Sequence, residues 1–270
     1  MPTQLEAFFT HGEAPCGEIP ASQQLREAST PGGPWDELLY LHAATADAGL
    51  TSLLLRYGFT RAKQNHNVVL LLCGDSSQKP PIVQLQPCPT CGVPAKTGMD
   101  SEIWQRIRIK YLKSSAELQH FACSLHLMRE KNSVVLVDAF ERFFVDEIGS
   151  LGPVYQTLAL LYEARRFMEQ STGYGEVVMT GHSHAFMLQT NHDRLHRWCR
   201  FLQITRDGDE FILHEELDVD AHEDDGDGEE DDDEGEAHGG VAIRYEFFPH
   251  GSAEAREGLF RLVEVMYRDQ

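Results

Sequence analysis

The sequence predicts an α/β fold, a mostly parallel twisted sheet flanked by helices, with antiparallel strands at the C-terminal end. Three observations carry that expectation. Runs dense in valine and leucine, "NVVLLLC" (67–73), "VVLV" (134–137) and "GEVVM" (175–179), lack polar alternation, as strands buried on both faces require. Helical patterns separate them, and strand–helix–strand alternation implies parallel strands joined by crossovers. Beyond residue 197, "WCRFLQITRDGDEFILHEEL" and "GGVAIRYEFFPHG" read instead as antiparallel strands.

Each element has its own signal. Residues 1–34 scatter Gly, Pro, Ser and Glu with little periodicity and read as a disordered leader. A first strand is expected over Glu37–His42 and a helix over Thr51–Ala62. The Pro- and Gly-rich stretch from Gly74 to Asp100 holds at most a short strand. Ser114 and Glu117 match a capping box, and Leu118, Phe121, Ala122 and Leu125 form the apolar stripe of the helix it opens. Asp138 ends the next strand, and Pro153 fits the first turn of a long amphipathic helix. The resulting organisation is a leader (1–34), a core (35–214), an acidic insertion (215–240), and a final strand and helix of the core (241–270).

Composition narrows the function classes. The longest apolar run, Val68–Cys73, is far shorter than the roughly 20 residues of a membrane-spanning helix, so no membrane is expected. The N-terminus has no basic start ahead of an apolar stretch, so no secretory signal is expected either. Six spread cysteines read as reduced thiols. The net charge of −20 is concentrated: Glu215 to Glu236 contains 15 acidic and no basic residues, leaving −5 for the rest. That tract reads as a disordered surface loop, with competition against DNA phosphates for a basic surface as its regulatory alternative.

The stretch "AATADAGLTSLLL" (43–55) follows the first strand and enters the first helix, which is the frame of the phosphate-binding pattern GxxxxGK[ST]. Ala44 stands at the first glycine position, Gly49 at the second, Leu50 at the lysine and Thr51 at the hydroxyl. An aliphatic chain at Leu50 supplies no charge to β/γ oxygens, and phosphoryl transfer depends on positioning and electrostatics. Three readings follow: a tight turn retained for the fold, nucleotide binding with slow or no turnover, and a working ATPase. "VVLVDAF" has the form of a Walker B segment, in which Asp138 would hold magnesium.

Other chemistry-bearing residues lie elsewhere. Cys88 and Cys91 have CxxC spacing, and with Cys123 and His126 they make a candidate zinc set, against a reading as a loop dithiol beside an unrelated pair. His182, His184, His192 and His196 fit no tight metal spacing. Arg106, Arg108, Lys110 and Lys113 form one basic cluster, and Arg194, Arg197 and Arg200 another. Either would give salt-dependent DNA contacts without base readout, or a solvated strand edge.

These elements, and above all "WQRIRIKYLKSSAELQHFACSLHLMREKNSVVLVDAFERFF" (104–144), resemble the divergent RecA and recombinase-paralogue family. The similarity is greatest to the branch that partners SWIM-type zinc-finger proteins in the animal Shu-type recombination complex. It spans about Glu37 to Gly251 without the acidic tract. The resemblance implies a RecA-like P-loop NTPase fold in which Asp75 activates water, Asp138 binds magnesium, His182 senses the terminal phosphate, and Ala44, Gly49, Leu50 and Thr51 line the nucleotide. It implies ATP and magnesium as weakly held cofactors. A SWIM-domain protein, a strand-exchange recombinase and single-stranded DNA would be the partners, in the nucleus, during homologous-recombination repair. The alternatives are an active DNA-stimulated ATPase that borrows a lysine such as Lys63, and an acidic interaction scaffold unrelated to DNA.

Overall fold

A computed structural model describes residue 8 and residues 38–44, 48–74, 101–129, 131–147, 151–181, 198–215, 241–248 and 259–267. The strands are β1 (Leu38–Ala43), β2 (Val68–Cys73), β3 (Ile107–Leu112), β4 (Val134–Asp138), β5 (Glu176–Gly181), β6 (Cys199–Asp207), β7 (Glu210–Glu215), β8 (Val241–Phe248) and β9 (Leu259–Tyr267). The α-helices are α1 (Leu50–Lys63), α2 (Ser101–Trp104), α3 (Ser115–Ser124) and α4 (Gly152–Thr172), with 3₁₀ segments at Leu125–Leu127 and Phe140–Glu147. All nine strands form one sheet in the order β3-β2-β4-β5-β1-β6-β7-β8-β9. The first six in that order run parallel, and β7, β8 and β9 alternate in antiparallel fashion after β6.

Both faces of the central strands are buried. On one face Leu39, Leu41, Val68, Leu70, Leu136 and Val178 pack under α1. On the other, Leu38, Tyr40, Val69, Leu71, Val135 and Val137 pack under α3, α4 and the Phe140–Glu147 segment. This explains why the strand sequences show no alternation: alternate side chains enter different cores, and each core requires an apolar residue. The Ser114 cap forms, its side chain accepting from the Glu117 N–H, but Glu117 reaches back to the Lys113 N–H, one residue before the N-cap, so the reciprocal half of the box is shifted by one.

Two sequence expectations need correction. Leu259–Tyr267 is a strand, not the final helix. It pairs with β8 from Val241↔Tyr267 to Phe248↔Leu259, with an irregularity between Arg244 and Tyr245. Val263 and Val265 favour an extended backbone, and β8 supplies a hydrogen-bonding edge that local pattern cannot reveal. The leader is not wholly detached either, because Phe8 is fully buried in the α1-side core, its ring centroid 4.6 Å from that of Tyr57. The rest of residues 1–34 and the acidic segment from 216 to 240 lie outside the described residues.

The rim where β4 and β5 begin holds a buried polar cluster. The Arg61 Nε donates to Glu176 Oε2 at 3.0 Å, and its Nη2 donates to Glu176 Oε1 at 3.1 Å and to the Tyr57 hydroxyl at 2.7 Å. Tyr57 and Tyr174 donate their hydroxyl protons to the same carboxylate. Burial acts most strongly, to lower the Arg61 pKa, but Glu176, Tyr57 and Tyr174 together outweigh it and hold the guanidinium charged. His66 stacks on Tyr174 with centroids 4.0 Å apart, and burial, then the Arg61 charge, hold its pKa below the ordinary value.

Two outcomes follow. Phe8→Ala should cost about 3–5 kcal/mol of stability in urea unfolding, as loss of a core phenyl does. If it costs nothing, Phe8 is not part of the core. For His66, the unfolded chain binds more protons than the folded one as pH falls below about 6.5, so stability should be lost across that window. His66→Phe keeps the stacking ring and should flatten the slope between about pH 6.5 and 5, measured against wild type.

Candidate functional site

The parallel strands β1, β4 and β5 end on one rim, the side of an open α/β sheet where ligands bind. There α1 begins. Gly49, its N-cap, has φ 70° and ψ 30°, a left-handed conformation that costs any residue with a Cβ. Gly49 supplies no side-chain cap to the first turn, and no acidic residue lies in it. Ala44 is exposed and is not among the described positive-φ residues, so its position does not demand glycine. Residues 45–47 lie outside the described residues.

Thr51, in the first turn of α1, meets Asp138 at the end of β4. Its Oγ1 lies 2.9 Å from Oδ1 and 3.0 Å from Oδ2, so a single hydroxyl proton serves both oxygens. A second hydroxyl holds the same carboxylate: Thr180, fully buried at the end of β5, donates to Asp138 Oδ1 at 3.1 Å. Thr180 Oγ1 in turn accepts from the Ala139 N–H at 3.0 Å. Ala139 has φ 48°, a left-handed strain worth about 1–2 kcal/mol for alanine. Asp138, just before that turn, is a buried residue, 8% exposed. Strain of this kind, over-determined by its neighbours, recurs at functional sites.

The neighbouring residues make the rim rigid. Tyr245, fully buried on β8 and stacked on Phe211, donates its hydroxyl proton to the Ala48 carbonyl at 3.1 Å and pins the approach to α1. Next to Thr180, Gly181 has no room for a side chain. A Cβ there would fall 1.9 Å from the Tyr40 hydroxyl and 2.9 Å from a Glu141 carboxylate oxygen. Burial, then Glu141, then Cys199 push the Tyr40 hydroxyl well above its ordinary pKa, so it stays protonated.

Of the residues the sequence singled out, Gly49, Thr51 and Asp138 come together. Leu50 does not join them, because it is 1% exposed and belongs to the α1-side core. The lysine position is therefore used for packing. Lys63 cannot replace the missing charge: it ends α1, about 20 Å along the helix from Leu50. Asp75 and His182 lie outside the described residues, as do Cys88, Cys91, Arg194 and Arg197. Cys123 is an exposed thiol and His126 sits beside the ring of Phe167. Arg200 is half-buried within β6. Arg108 and Lys110 are exposed on β3, Lys113 is exposed just past its end, and Arg106 is half-buried just before it.

Thr180 and Tyr245 are the residues that sequence reasoning missed. A threonine closing an apolar strand at "VVMTGH" was the available signal for the first; nothing local marks the second. A hydroxyl at the start of α1 and a carboxylate at the end of β4 are oxygen donors of the kind a hard divalent cation takes, and Thr51 Oγ1 and Asp138 are the residues that would hold one. No family model and no curated protein matches this chain.

Because Leu50 is a core residue, restoring the consensus lysine should damage the protein. Leu50→Lys should lower stability by several kcal/mol and add no ATP turnover. A Leu50→Lys variant with unchanged melting temperature and new ATPase activity would show that this side chain is not committed to the core.

Proposed function

We propose that this chain is a degenerate RecA-like P-loop subunit, an accessory factor of homologous recombination whose nucleotide site serves binding rather than hydrolysis. The hydroxyl–carboxylate contact between Thr51 and Asp138 carries the reading. A P-loop hydroxyl and a Walker B carboxylate jointly hold the magnesium of a nucleotide triphosphate, and this sheet brings the two residue types together across 87 positions of sequence. The uncapped first turn of α1 would receive phosphate oxygens. Leu50 offers no charge to the leaving phosphate, so turnover is weak or absent.

In this reading the protein acts as a scaffold. It pairs with a SWIM zinc-finger protein, contacts single-stranded DNA through Arg106, Arg108, Lys110 and Lys113, and supports the filament of a strand-exchange recombinase in the nucleus. What supports the DNA step is a basic strand exposed on a chain that is otherwise acidic. Phosphate contacts of this kind bind without reading bases and weaken steeply with salt.

The test is a titration of fluorescent ATP with and without magnesium, on wild type and Asp138→Ala. Binding should require magnesium, fall about tenfold or more in the variant, and occur without steady-state turnover. Magnesium-independent binding, equal in both proteins, would refute the site. For the DNA step, replacing Arg108 and Lys110 by alanine should flatten the salt dependence of oligo-dT binding by about 1.4 in log–log slope. An unchanged slope would remove this strand from the DNA surface, and failure to co-purify with a SWIM-domain protein would remove the recombination assignment.

A further inference from the structure

β3 is the terminal strand of the sheet, and among the described residues only β2 pairs with it. The carbonyls of Arg106 and Leu112 accept hydrogen bonds from Val68 and Gly74 on the β2 side. Backbone groups of successive residues in a strand point to opposite sides. Residues 106, 108, 110 and 112 therefore face β2, while Ile107, Ile109 and Tyr111 turn their N–H and C=O groups to the outer edge. An edge of this kind is a template for another strand, and proteins commonly blunt it with a bulge, a proline or a cover. None of these interrupts β3 among the described residues.

The side chains along this edge sort by face. Ile107 and Tyr111 pack toward the α1-side core, and Ile109 between them is 48% exposed. On the opposite face Lys110 lies with its Nζ 5.1 Å from the Phe121 ring centroid, and Leu112 is buried in the α3-side core. Between β3 and α3 lies a hollow of about 360 Å³, lined by Lys110, Tyr111, Leu112, Ala116, Glu117, His120 and Phe121. One face of the edge thus offers exposed apolar surface. The other offers the cations Arg108 and Lys110 above a concave, partly aromatic floor.

We propose that the outer edge of β3 is a docking site for an extended acidic segment of a partner protein, added to the sheet as a further strand. Its main chain would pair with Ile107, Ile109 and Tyr111, its acidic side chains would meet Arg108 and Lys110 on the α3 face, and its apolar side chains would cover Ile109 on the other. Main-chain pairing supplies affinity in such additions and alternate side chains supply specificity. Local charge complementarity selects the acidic partner: Arg106, Arg108 and Lys110 alternate along β3 and its entry, so their side chains share one face of the edge. A nucleic-acid strand would satisfy the same cations, but it carries no N–H and C=O groups at the strand repeat and leaves Ile109 in water. This interface does not depend on the nucleotide site. Because peptide and single-stranded DNA would draw on the same cations, each should displace the other.

The probe is a fluorescein-labelled peptide of about ten residues alternating glutamate and valine, titrated by anisotropy against the full chain. Two isomers carry N-methyl groups on alternate amides, one set facing β3 and the other facing away. Only the first should lose binding, by about tenfold or more, because only it blocks main-chain pairing. Ile109→Pro, which removes an outward N–H tolerated on an edge strand, should weaken binding similarly, with its melting temperature confirming the fold. Equal binding of the parent and both methylated isomers would overturn strand addition. So would binding abolished by Arg108→Ala with Lys110→Ala but unaffected by Ile109→Pro, which would make the surface a simple polyanion site.

Discussion

Strands β1, β2, β4 and β5 carry apolar side chains into two separate cores, so each needs a covering layer above and below. Only connections that carry the chain back across the sheet can build those layers, and such connections make neighbouring strands parallel. Parallel strands in turn place their C-terminal ends on one rim. The meeting of Thr51, Asp138 and Thr180 is a consequence of that double burial: β5 lies between β1 and β4, and residues far apart in sequence reach the same end of three adjacent strands.

The two rims carry contrasting polar clusters. At the rim where β4 and β5 begin, Arg61 and Glu176 compensate each other, with two tyrosine hydroxyls completing the carboxylate's partners. A buried pair of this kind costs desolvation, and removing one member leaves a charge with no counterpart. It anchors the end of α1 to β5. At the opposite rim the Asp138 carboxylate accepts from the hydroxyls of Thr51, in the first turn of α1, and Thr180, at the end of β5. The first cluster joins opposite charges, whereas the second joins one carboxylate to two hydroxyls.

Leu50 shows that a match in residue spacing need not carry the chemistry of the pattern it matches. The tight turn into α1, the left-handed Gly49 and the hydroxyl of Thr51 all persist. The side chain between glycine and threonine has been turned to core packing, where it joins Leu53, Leu54 and Ala48.

Much of the fold was legible locally. Unalternated valine and leucine runs disclosed strands buried on both faces, the Ser114–Glu117 box marked where α3 begins, and Asp138 stood out as an acid closing an apolar strand. The frame around Gly49 and Thr51 was visible for the same reason: a turn between strand and helix has few solutions, and its residues are contiguous. What sequence alone left open depends on partners distant in the chain. Whether Leu259–Tyr267 is helix or strand was decided by the edge of β8, and whether Phe8 belongs to a leader or a core was decided by the space beside Tyr57. The burial of Leu50, the strained Ala139 pinned by Thr180, and the Tyr245 hydroxyl on Ala48 arise only once strands have been ordered side by side. Local pattern sets which face of an element is apolar; strand order sets which polar atoms meet at its end.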